Sequence, residues 1–146
     1  MLSVIVETAE NGDRLPALLA ALTSAAVDGL VREVVIAGGG PAELLAVLRE
    51  ETGADLAEDL AAGIAAARSE RLLVLPARIR LRAGWLEALG GHLRGGGGDA
   101  VIAGEGGVFG EKVFGVLLPR AAAAGLAHPD LKGLRRQLRR GAVRLA

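Results

Sequence analysis

A few residue groupings in this chain could do chemistry. Gly38-Gly39-Gly40-Pro41 follows a β-branched run and precedes a helical pattern. Strand, glycines, then helix is the layout that cradles a phosphate, because free N–H groups and the helix dipole point at an anion. The spacing does not match a dinucleotide fingerprint, whose third glycine would fall at Glu43. Nor does it match a triphosphate loop, which needs Gly-Lys-Ser/Thr. A bare turn and an anion or nucleotide contact both stay open at this point. Arg78, Arg80 and Arg82 alternate after a second strand pattern. Guanidinium forks pair with phosphate oxygens bidentately, while alternating arginines after a strand also describe a solvated loop. Glu105 and Glu111 flank a glycine-rich loop and have a site-like address, though solvated surface is the plainer reading.

Composition closes other routes. The two histidines, His92 and His128, neighbour no Gly-x-Ser-x-Gly elbow, and serine occurs only at positions 3, 24 and 69. A hydrolytic triad is not expected. There is no cysteine and no Asp-x-Asp pair, so no cofactor and no divalent metal are expected. Two Phe, one Trp and no Tyr leave almost no stacking platform for bases or sugars. Trp85 sits in a helical pattern and reads as core. A net charge of zero does not point to nucleic acid. The charge is uneven, however. From Lys132 onward the chain carries Arg135, Arg136, Arg139, Arg140 and Arg144 and no carboxylate. Such a helix packs and is solvated, or approaches a membrane surface or an acidic partner.

Those groups must be positioned by one domain, residues 1–146, with 51% apolar residues to build its core. No apolar run approaches the ~18 residues of a membrane span, and the N-terminus lacks a secretory pattern. A soluble, cytoplasmic protein is expected. The abundance of Arg, Ala, Gly and Leu fits a GC-rich bacterial genome.

Strands are predicted at 2–8, 33–37, 71–75, 99–103 and 113–118, with a very short one at 54–56. Helices are predicted from Pro16 with Leu15, Leu18, Leu19 and Leu22 on one face, from Pro41 to Glu51, around Leu60 and Ile64, over 83–93, over 121–126 and over 131–140. The 113–118 strand reads as the last substantial one. Alternation at this spacing implies an α/β fold: a three-layer, mostly parallel, Rossmann-like sheet with helices on both faces. Ligands in such sheets bind beyond the C-terminal strand ends, here 7–13, 37–41, 76–82 and 104–110.

Leu2-Ser3-Val4-Ile5-Val6-Glu7-Thr8 with Arg14 to Leu22, Val31 to Gly39, and Leu72 to Leu81 with Gly84 to Leu89 resembles the family-2 glycosyltransferases. Order and spacing hold over about the first 95 residues, and a weaker echo runs on through Val116 to Arg120 and Arg135 to Gly141. The resemblance implies a nucleotide-diphospho-sugar transferase fold of the glycosyltransferase A type. It implies nucleotide contacts at Thr8, Glu10, Ala37, Gly38, Gly39, Arg78 and Arg80. It also implies acids that are missing here. Ala37 stands where an acid usually holds the nucleoside. Pro76-Ala77-Arg78 stands where Asp-x-Asp usually binds metal and diphosphate. No acid occurs in Leu131-Lys132-Gly133, near the usual base. A catalytically degenerate domain that keeps the fold for binding or assembly is therefore expected. The alternatives are an active, metal-independent transferase using Arg78 and Arg80 on a nucleotide sugar, and a structural protein that forms a homo-oligomer through a sheet edge or the last helix.

Overall fold

A computed structural model describes residues 1–8, 15–105, 113–138 and 142–145. In chain order the elements are β1 (Leu2–Thr8), α1 (Leu15–Val27), β2 (Val31–Gly38), α2 (Ala42–Thr52), β3 (Asp55–Ala57), α3 (Leu60–Ala66), β4 (Arg71–Pro76), α4 (Trp85–Arg94), β5 (Ala100–Ala103), β6 (Phe114–Pro119), α5 (Arg120–Ala124), α6 (Leu131–Arg136) and β7 (Val143–Leu145). The strands form one sheet in the order β3-β2-β1-β4-β6-β5-β7. All neighbours are parallel except those of β6, which runs antiparallel to both β4 and β5.

Central strands buried on both faces read as continuous apolar runs. β1 and β4 do so, and Val4, Ile5, Val6, Leu72, Leu73, Val74 and Leu75 are fully buried. Their side chains alternate between two cores. Val4, Val6, Leu73 and Leu75 meet the apolar stripe of α1, with Leu48 of α2 and Leu89 of α4. Ile5, Leu72 and Val74 meet Leu60 and Ile64 of α3, Ala123 of α5 and Leu134 of α6. α1 buries Leu15, Leu18, Leu19 and Leu22, one turn apart as their spacing requires. α2 ends at Gly53, whose left-handed φ of 73° lets its N–H bond the Arg49 carbonyl.

The three-layer expectation holds, with differences at the C-terminal end. α6 stops at Arg136 rather than near 140. Gln137 and Leu138 donate to the carbonyls three residues back, a tightening that closes a last turn. Arg139 and Arg140 lie outside the described residues. A further strand, β7, follows; its three residues are too few for a period-2 signal.

At the N-terminal end of the sheet Glu33 ties two crossovers together. Its carboxylate accepts from Ser3 Oγ at 2.6 Å, from the Arg68 backbone at 2.7 Å and from Arg68 Nε at 3.3 Å. Ser3 Oγ in turn accepts from the Ser69 backbone. Burial works against the Glu33 charge, but these hydrogen bonds outweigh it and hold its carboxyl below the usual range.

Candidate functional site

The C-terminal ends of the parallel strands bring together β1, the β2 turn and the segment after β4. Thr8 and Gly38 are register partners. The Thr8 hydroxyl donates to the Gly39 carbonyl at 2.7 Å, with the Ala37 carbonyl also in reach at 3.2 Å. Thr8 is buried, so its hydroxyl is committed to shaping the turn. Gly38 has φ 118°, a conformation that favours glycine. Gly39 and Gly40 are exposed. The first turn of α2 carries Glu43, and no side chain caps that helix. An anion arriving there would meet free N–H groups and one like charge together.

Residues 77–82 are not a wholly solvated loop. Ala77 and Ile79 are buried in the α1-side core, Leu81 packs against it, and Arg78 and Arg80 are exposed. The backbone is pinned throughout. Ala77 N–H donates to the Glu7 carbonyl, Ile79 N–H to that of Pro76 and Glu105 N–H to that of Arg80, while Leu81 bridges to Gly104. Arg82 Nε donates to the Gly104 carbonyl at 3.0 Å. The alternation of arginine and apolar residues is thus a strap with inward anchors and outward cations. Beside it lies a cleft of about 310 Å³ lined by Ala17, Ala21, Arg80, Leu81, Trp85 and Glu105 among others. Trp85 is half-buried against the core and walls this cleft. Of the nucleotide contacts implied above, this cleft takes in Arg80 and not Thr8, Ala37, Gly38, Gly39 or Arg78. Glu10 and Glu111 lie outside the described residues.

Two acids that sequence reasoning passed over influence one another electrostatically. Glu7 is the penultimate residue of β1, beside Ala37 and Pro76 in register, on the same face as Ile5. It is half-buried, and burial pushes its carboxyl above the usual range, with the Asp130 carboxylate raising it further. Asp130 caps α6 by accepting from the Gly133 N–H. It stands one residue before the acid-free stretch Leu131-Lys132-Gly133. The available signal was an Asp three residues before a helical Gly, at a cap position.

The fold has known counterparts. One is glucosyl-3-phosphoglycerate synthase from Mycobacterium tuberculosis, solved with Mn²⁺, uridine diphosphate and phosphoglyceric acid. It matches with a TM-score of 0.51 at 17% identity, over 70% of this chain and 42% of that one. The chain therefore spans less than half of that enzyme. A second is 4-diphosphocytidyl-2C-methyl-D-erythritol synthase, with a TM-score of 0.62 at 12% identity, over 98% of this chain and 87% of that one. The chain has the nucleotide-diphospho-sugar transferase fold, of the glycosyltransferase A type. Neither a protein-family profile nor a curated protein matches the sequence. No helix among the described residues is long and apolar enough to cross a membrane.

Proposed function

We propose that this domain binds a nucleotide or nucleotide sugar at the C-terminal ends of β1, β2 and β4 and does not transfer sugar. The observation that carries the reading is the end of β4. Pro76 and buried Ala77 are followed by exposed Arg78, on a strap that also holds Arg80 outward. By the resemblance, this is where a metal-holding acid pair would stand. A hard cation needs oxygen ligands, and neither a proline, an alanine nor a guanidinium supplies a side-chain oxygen. The residues present do not fit the metal there. They do fit phosphate, which arginine grips without a cation.

Glu7 favours a second reading. A half-buried carboxyl with a raised pKa suits a general base, and with the arginines it would serve an active, metal-independent transferase. Turnover separates the two readings.

Thermal shift with uridine, guanosine and thymidine diphosphates and their sugars, with and without manganese, tests binding. Bound ligand stabilises by about 2.7 kcal/mol at a hundredfold excess over its dissociation constant. The expected result is a shift that does not need manganese and that Arg78→Ala abolishes. No shift with any of them at millimolar concentration would overturn the proposal.

A further inference from the structure

We infer that the chain associates head-to-tail with further copies of itself, the β7 edge of one meeting the β3 edge of the next to continue the sheet. β3 and β7 are the two ends of the strand order, and they run in the same direction. A second copy placed by simple continuation therefore sets β3 parallel to β7 with the same face up. Unpaired edge N–H and C=O groups are the template for such an addition.

The side chains at the two edges complement each other face by face. On the α1 side β7 presents Val143 and Leu145, in register with Ala100 and Ile102 of that core. β3 presents Leu56, in register with Ile36 of the same core. Val143 is 47% exposed, Leu56 41% and Val47 of neighbouring α2 48%, and these are three of the five large exposed apolar side chains among the described residues. On the opposite face β7 presents Arg144 and β3 presents Asp55, both exposed. Pairing the edges thus puts apolar beside apolar on one face and arginine beside aspartate on the other.

Charge decides which edges meet. The β3 end is acidic, with Glu43, Glu50, Glu51, Asp55, Glu58 and Asp59 against Arg49, all exposed. On the other edge β7 carries exposed Arg144, and α6, which packs over β4 and β6, adds exposed Lys132, Arg135 and Arg136 to a half that also holds exposed Glu87, Glu105 and Asp130. Short, charged edge strands usually prevent pairing. Charges that only prevented it would work with the same sign at both edges. Opposite signs repel like edges and attract unlike ones, so two-fold β3–β3 and β7–β7 contacts are disfavoured and the head-to-tail contact is selected. Such a contact is heterologous and yields a ring or an open filament.

Sedimentation velocity from micromolar to millimolar protein tests this. The expected result is a sedimentation coefficient that rises with concentration and falls back as salt is raised. Asp55→Arg alone and Arg144→Glu alone should each raise the half-association concentration about tenfold or more. The double variant, and an equimolar mixture of the two single variants, should recover association. Circular dichroism confirms that each variant is folded, and the salt series uses the unaltered chain. A chain that stays monomeric throughout, assembly indifferent to salt or to both substitutions, or failure of both the double variant and the mixture to recover it would each overturn the inference.

Discussion

Thr8 and Gly38 meet so closely at the ends of β1 and β2 that a Cβ on Gly38 would lie 2.7 Å from the Thr8 hydroxyl oxygen. The same hydroxyl ties down the Gly39 carbonyl. A buried side chain, a backbone conformation with φ 118° and a hydrogen bond thus define one turn. It is the turn at the edge of the proposed nucleotide site.

Gly38→Ala should therefore cost about 2–4 kcal/mol, from strain and from overlap with Thr8. Thr8→Val keeps the shape, removes the hydrogen bond and should cost about 1 kcal/mol. Urea unfolding reads both. A Gly38→Ala change below about 0.5 kcal/mol would mean the turn relaxes freely.

Much of this frame was legible in the residues. Leu15, Leu18, Leu19 and Leu22 marked α1 by spacing, β-branched runs marked β1 and β2, and a leucine-rich run marked β4, because a buried parallel strand needs apolar residues without interruption. β7 was not legible, since Val143-Arg144-Leu145 is too short to show a period. Nor was the strap. Ala77, Ile79 and Leu81 take their burial from α1 and α4, so Arg78 and Arg80 alone looked like loop. Glu7 and Asp130 are far apart in the chain, and only the packing of α6 against the sheet brings their charges together.

Ile79 anchors that strap, 3% exposed, with Gly104 so near that a Cβ there would sit 2.8 Å from Ile79 Cγ1. Ile79→Ala should destabilise by about 2–4 kcal/mol. It should also weaken nucleotide binding without touching either exposed arginine, because the outward cations lose their anchor. Denaturant melts and titration calorimetry check the two effects. A full loss of stability with binding unchanged would separate the strap from the site.

Glu7 and Glu33 should give stability profiles of opposite slope. The Glu7 carboxyl is raised in the fold, so its favourable contribution is full below about 4.5 and is lost as pH rises through its folded value. Glu7→Gln should therefore stabilise the protein at pH 7, and the gap should close on acidification. The Glu33 carboxyl is lowered, so its contribution is full above about 4.5 and is lost as pH falls through its folded value. Glu33→Gln should destabilise at pH 7 by about 1–3 kcal/mol, leaving Ser3 and the Arg68 N–H poorly matched, with the gap narrowing below pH 4.5. Thermal melts from pH 3 to 8 settle the signs, and a profile of the opposite slope for either variant would contradict that residue's assignment.

Binding without transfer is tested most directly by ³¹P NMR of a uridine diphosphate sugar mixed with stoichiometric protein and magnesium. The expected spectrum shows diphosphate resonances broadened by the native chain and sharp with Arg78→Ala. No free nucleoside diphosphate should accumulate over a day. Release of that diphosphate would identify a working enzyme, and resonances that stay sharp with the native protein would show that the arginine strap holds no such ligand.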